Sequence, residues 1–278
     1  MSGGDGVFGY RHGVAAVQLI LFFVALCISV YFRLGRRNGW FSIGVFSIFR
    51  VVGAGCMLGT ITNDASSVWA GVFVCESLGM VLIVFLLLEF MARANNTVPT
   101  VHPRWFWYPQ VITWADIGLA IGGFASASKT DSLDPTKYTQ ASFGLFTGLY
   151  LIVVFTFWQF WRVRNTFPRD ERLMLQCVGV CLPLLAVRTA YSLVYQITGD
   201  RTWNAVKGNP TPYLIMTFLP ELVIIYLCIG AVFMVQPPPR EVKDKRNMRE
   251  RLRGYAMIES HQGSQENHAE QTRPHASV

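Results

Sequence analysis

Five ionisable side chains stand deep inside long apolar runs of this sequence: Arg50, Glu76, Asp116, Arg188 and Glu221. A charge near the centre of a helix in a bilayer costs about 2.5–3.5 kcal/mol on insertion scales, so such groups face a bundle interior or a wet cavity and seek partners. Five unpaired charges would cost on the order of 15 kcal/mol, which favours a shared polar interior over separate lipid-facing positions. Arg188, Tyr191 and Tyr195 are spaced i, i+3, i+7 and share one helical face, with Pro183 just over one turn earlier. Glu221 follows Pro220 directly, where a carbonyl one turn upstream loses its donor. Two chemistries suit these types. Arg50 and Arg188 can meet an acidic or carbonyl group of a ligand, and Glu76, Asp116 or Glu221 can donate a proton. The candidate polar network, or ligand-binding set, is therefore Arg50, Glu76, Asp116, Arg188, Tyr191 and Glu221. A closed ion-pair network that only fixes helix register uses the same residues.

Other chemistries lack their residues. No apolar run contains a lysine, so a retinal-type Schiff base has no anchor. His12, His102, His261, His268 and His275 are scattered through tails and a loop, which leaves no histidine-ligated metal centre. No DDxxD pair is present to hold a magnesium diphosphate; Asp131 and Asp134 stand beside Pro135 and read as turn residues. Neither cofactor nor metal is expected. Cys27, Cys56, Cys75, Cys177, Cys181 and Cys228 all fall in apolar runs and read as packing residues.

The elements that must position these charges are membrane spans. Hydrophobic residues make up 52% of the 278, charged residues only 15%, and the mean hydropathy is positive. Seven runs reach the roughly 20 residues a hydrocarbon core requires. They lie near Val14–Tyr31, Phe41–Ile61, Val68–Met91, Phe106–Ala127, Ala141–Trp161, Leu173–Ile197 and Pro212–Val235. The expected fold is an all-α, polytopic seven-transmembrane-helix bundle over residues 1–236. At about 1.5 Å per residue in antiparallel spans, the five charges fall in one layer from the midplane into the outer half. Gly55 and Gly59, and Gly118 and Gly122, have the spacing that lets helices approach closely. Glu89 and Arg93 are spaced to pair along the third span.

Charge placement sets the orientation. Odd-numbered loops carry nine Lys and Arg and even-numbered loops four, so the odd loops and the C-terminal tail belong in the cytosol and the N-terminus outside or in a lumen. The net charge of +7 arises from these flanks and from the tail, which argues against nucleic acid as partner. Residues 237–278 form the second unit. Arg240 to Arg253 can form a basic amphipathic helix on anionic inner-leaflet lipid, or remain a solvated basic segment, and the polar stretch from His261 reads as disordered. The bilayer itself and an apolar small molecule are the other expected partners.

Gly39-Trp40, Phe46-Ser-Ile-Phe-Arg50, Leu182-Pro with Val187-Arg188, Tyr191-Ser-Leu and Leu219-Pro-Glu221 resemble a fungal seven-transmembrane family of unknown function, sometimes labelled G-protein-coupled-receptor-like. The resemblance covers roughly residues 9–236 and implies a fungal integral membrane protein with seven helices. It implies no activity. The marks of rhodopsin-like receptors are missing: Glu89-Phe-Met-Ala-Arg93 stands where Asp/Glu-Arg-Tyr would, and no Asn-Pro-x-x-Tyr ends the last span. Three functions remain open. The first is a receptor-like, small-molecule-sensing protein with a polar cavity in the outer half. The second is a membrane-embedded, acid-catalysed enzyme on a lipid or isoprenoid, terpene-cyclase-like, in fungal secondary metabolism. The third is a lipid or drug exporter. An acid without an arginine neighbour would favour the enzyme.

Overall fold

The computed structural model describes residues 8–35, 37, 39–63, 65–130, 137–199, 201–203 and 208–235. The basic segment Arg240–Arg253, the polar stretch beyond it and the Asp131–Asp134 turn lie outside them. The described residues are all-helical. Their long helices are α1 (Tyr10–Leu34), α2 (Trp40–Gly59), α3 (Ser66–Thr97), α4 (Trp107–Thr130), α5 (Lys137–Arg162), α6 (Arg169–Thr198) and α7 (Pro210–Met234). Among the described residues six helices, all but α4, are long and apolar enough to cross a membrane. The protein is therefore an integral, multi-pass membrane protein in contact with lipid.

The pattern of burial is inverted relative to a water-soluble bundle. Large apolar side chains such as Ile20, Phe23, Leu151, Phe155 and Ile197 are exposed, while Arg50, Arg188 and Glu221 are buried at 1% exposure or less. In water the exposed faces would associate; in lipid they are the favourable outer surface. α3 is the axis of the packing. It touches α2 on one side and α4, α5 and α6 on others, while α1 packs on α2, α4 on α5 and α6 on α7. Aromatic edges fill the seam between α1, α2 and α7, where Phe22 meets Phe46 at 5.5 Å and Phe218 at 6.2 Å.

Close approach occurs at glycines other than the expected pairs. A Cβ on Gly55, Gly118 or Gly122 would meet nothing within 4 Å, so those spacings serve no tight helix contact. Tight positions lie elsewhere: a Cβ would stand 2.6 Å from Ser29 Oγ at Gly44, 2.9 Å from Cys75 Cβ at Gly53, 2.9 Å from Phe157 Cζ at Gly179 and 2.6 Å from Arg50 Nη2 at Gly79. Spacing alone does not say which face of a helix meets a neighbour.

Glu89 does not pair with Arg93. It accepts from Gly39 N at 3.1 Å and from Ser42 Oγ at 2.6 Å, capping the N-terminus of α2. The unpaired N–H groups and positive dipole end of a helix outcompete an i, i+4 partner on the carboxylate's own helix. Arg93 turns instead to Glu171 on α6 at 3.1 Å. At the same end of the bundle Arg37 donates to Val232 O at 2.7 Å and Phe233 O at 2.8 Å, closing the C-terminus of α7.

Both prolines near the charges are absorbed within helices. Pro183 sits inside α6, which runs unbroken through it. Ahead of Pro220, Leu214–Phe218 form a π turn in which Leu219 N–H donates to Leu214 O. The wider pairing takes up the register shift that a residue without an N–H imposes, and it widens the helix just before Glu221.

Candidate functional site: a buried ring of four charges

Four helices each deliver one charged residue to a single point. Arg50 comes from α2, Glu76 from α3, Arg188 from α6 and Glu221 from α7. Arg50 Nη1 lies 2.8 Å from Glu76 Oε1, and Arg50 Nη2 donates to Glu221 Oε1. Arg188 Nη2 reaches Glu76 Oε2 at 3.2 Å, and its Nε reaches Glu221 Oε1 at 3.0 Å. Each guanidinium thus touches both carboxylates, and each carboxylate both guanidiniums. Charges alternate around the ring and sum to zero, the arrangement that best offsets the cost of taking four ions out of water.

Neutral groups fasten the ring to the bundle. Tyr213 OH donates to Glu76 Oε1 and lies 3.3 Å from Gln18 Oε1, which brings α1 into the network. Arg188 Nη1 donates to Ser192 Oγ at 2.7 Å, one turn along its own helix. Arg50 lies over the face of Phe46, 5.5 Å from the ring centre. Gly79, three residues after Glu76 on α3, supplies bare backbone under the Arg50 guanidinium. A Cβ there would stand 2.6 Å from Arg50 Nη2 and 2.8 Å from its Cζ.

Four of the six candidates from sequence therefore meet. Asp116 and Tyr191 do not join the ring. Asp116, on α4, is buried and accepts a hydrogen bond from Ser142 Oγ of α5, with no arginine contacting it among the described residues. Tyr191 is fully buried with its ring edge-on to Trp203 at 5.8 Å, and its hydroxyl has no hydrogen-bond partner among the described residues. Glu221 Oε2 and Thr217 Oγ1, one turn apart on α7, are also buried with no partner among the described residues. Beside the ring a cavity of about 20 Å³ is bounded by Arg11, Gln18, Gly53, Met57, Glu76 and Tyr213. That is room for one water molecule.

Gln18, Gly79, Ser192 and Tyr213 escaped the sequence reading. Gln18 carries the clearest signal of these, as an amide in the middle of an apolar run. Gly79 offered a weaker one, its i+3 spacing from Glu76.

A domain of unknown function, DUF7702, matches residues 8–237 of the sequence. The chain belongs to the DUF7702 family. The matched region takes in every residue of the ring and the helices that carry it. No curated protein matches the sequence.

Proposed function

We propose that this DUF7702 protein is a receptor-like, small-molecule-sensing membrane protein of seven spans, fungal in type, in which the ring of four charges is the switch. α4 supplies the seventh span, the N-terminus faces outside or a lumen, and the basic tail faces cytosolic anionic lipid. The single observation that carries the reading is the ring itself with unmet polar atoms alongside. The ring binds α2 and α3 to α6 and α7 through charges that balance only when all four are present. Among the described residues Glu221 Oε2, Thr217 Oγ1 and the Tyr191 hydroxyl are buried without a partner, each at a cost of about 1–3 kcal/mol. A ligand with an acidic or carbonyl group competes for Arg50 or Arg188, frees a carboxylate, and shifts the two helix pairs relative to one another. Readout then passes through the inner loops. The cavity of about 20 Å³ is the closed form of the site and must widen to admit such a ligand.

Asp116 favours a second reading. Among the described residues it is the one acid of the candidate set that no arginine contacts, as a proton donor in a lipid- or isoprenoid-converting enzyme would require. Glu76 and Glu221, each held by two guanidiniums, are poor donors. An untargeted metabolite comparison between a strain lacking the gene and its parent separates the readings. The sensor predicts no accumulated precursor. A precursor that builds up overturns the sensor for the enzyme, and a product trapped inside the cells overturns it for an exporter.

A further inference from the structure

Three of the six cysteines, read from sequence as packing residues, converge at a second place in the bundle. Cys177 and Cys181 are one turn apart on α6, and Cys228 faces them from α7; their three Sγ atoms all lie within 4.8 Å of one another. Cys181 and Cys228 are fully buried and Cys177 is half-buried. Cys181 and Cys228 belong to the apolar core of the bundle, together with Val178, Leu182, Ile224 and Ile225 of the same two helices, and Cys177 packs against that core.

We propose that Cys177, Cys181 and Cys228 form a binding site for a soft monovalent metal ion, copper(I), tying α6 to α7 independently of the charge ring. Three sulfurs around one ion at about 2.3 Å, in a plane, stand about 4.0 Å apart, within the spacing found. The ligand set then selects the metal. It is all sulfur, and no histidine or carboxylate among the described residues belongs to the group. Thiolates select copper(I), zinc and iron–sulfur clusters. Zinc takes a fourth ligand in a tetrahedron, and an iron–sulfur cluster takes four thiolates; three thiols in a dry apolar pocket offer neither. Charge points the same way. One copper(I) ion entering as one thiol proton leaves gives a neutral site of one thiolate and two thiol ligands, whereas zinc would require two protons to leave. A neutral product suits an apolar core. No electron is transferred in this step.

The test uses the full-length protein, purified in detergent under reducing, oxygen-free conditions and titrated with copper(I) against a chromophoric copper(I) chelator. The expected result is one copper(I) per chain and an X-ray absorption spectrum showing a three-sulfur shell. Cys177→Ser, at the half-buried position that best tolerates change, and Cys228→Ser each lower the affinity at least 100-fold, while Cys27→Ser on the exposed face of α1 leaves it unchanged. Gel-filtration profiles establish which variants fold, and the wild-type absorption spectrum needs no variant. Absence of stoichiometric copper, equal binding by the Cys177→Ser variant, a shell containing oxygen or nitrogen, or tighter one-to-one zinc would each overturn the site. A Cys228 disulfide to either α6 cysteine in the protein as isolated from cells would do the same.

Discussion

Replacing Gly79 by alanine sets two effects of opposite sign against each other. At an unobstructed helical position Gly→Ala stabilises by up to about 1 kcal/mol, because alanine is the better helix former. At Gly79 the new methyl would stand 2.6 Å from Arg50 Nη2, 2.8 Å from Cζ and 3.0 Å from Nε. Ordinary contact needs about 3.5 Å or more, so the guanidinium must retreat by roughly 0.9 Å. A free arginine would simply swing aside. This one is held by Glu76 on one side and Glu221 on the other, so retreat stretches the 2.8 Å Arg50–Glu76 contact to about 3.7 Å and breaks it. Breaking a buried ion pair costs about 3–5 kcal/mol, which leaves a net loss of about 2–4 kcal/mol after the helix gain. Thermal unfolding in detergent should show a fall of about 5–15 °C for Gly79→Ala. Gly230→Ala on α7, where a Cβ meets nothing within 4 Å, should hold or raise the midpoint. A Gly79→Ala protein that melts at or above wild type would refute the tight seat of Arg50.

Tyr213→Phe removes the hydroxyl that joins Glu76 to Gln18 and should lower stability by about 1.5–3 kcal/mol in the same assay, the range for a hydrogen bond to a charged group. Glu89→Ala uncaps α2 by removing the acceptor of both Gly39 N and Ser42 Oγ, with an expected loss of about 1–2 kcal/mol, whereas Arg93→Ala should leave α2 unaffected because Arg93 pairs with Glu171. Hydrogen exchange at the start of α2 distinguishes the two. For the tail, a peptide spanning 240–253 should bind acidic vesicles and lose about 1 kcal/mol for each basic residue neutralised; equal binding by a neutralised peptide would exclude lipid docking.

The sequence carried the helices because apolar run length is a one-dimensional signal. Charged and polar residues at the ends then extend several helices past the expected spans, as Ser66–Thr97 outruns Met91. The convergence of Arg50, Glu76, Arg188 and Glu221 was legible for the same reason: each is costly alone in a bilayer, and antiparallel depth puts them in one layer. Asp116, expected in the same layer, turns toward Ser142, because depth fixes height along a helix and says nothing of rotation about it. Rotation also decides which glycines matter, and for that reason Gly79 stayed hidden while Gly118 and Gly122 stood out. Glu89 shows a different limit: its partner is a helix end, a feature of backbone that no residue spacing reveals. The cysteine cluster was hidden for other reasons: Cys228 is far in sequence from Cys177 and Cys181, and a cysteine is equally at home as a small apolar filler.

In the proposed switch the four charges act as one balanced unit. A double-mutant cycle with Arg188→Met and Glu221→Gln, read as thermal stability of the purified protein, tests it most directly. Arg188→Met leaves Arg50 facing two carboxylates, and Glu221→Gln leaves two guanidiniums facing Glu76, so each single change strands a net charge in the bundle. The double change restores neutrality with Arg50 and Glu76 still paired. The double variant should lose less than the sum of the singles, by about 1.5–3 kcal/mol. Losses that add strictly would contradict it.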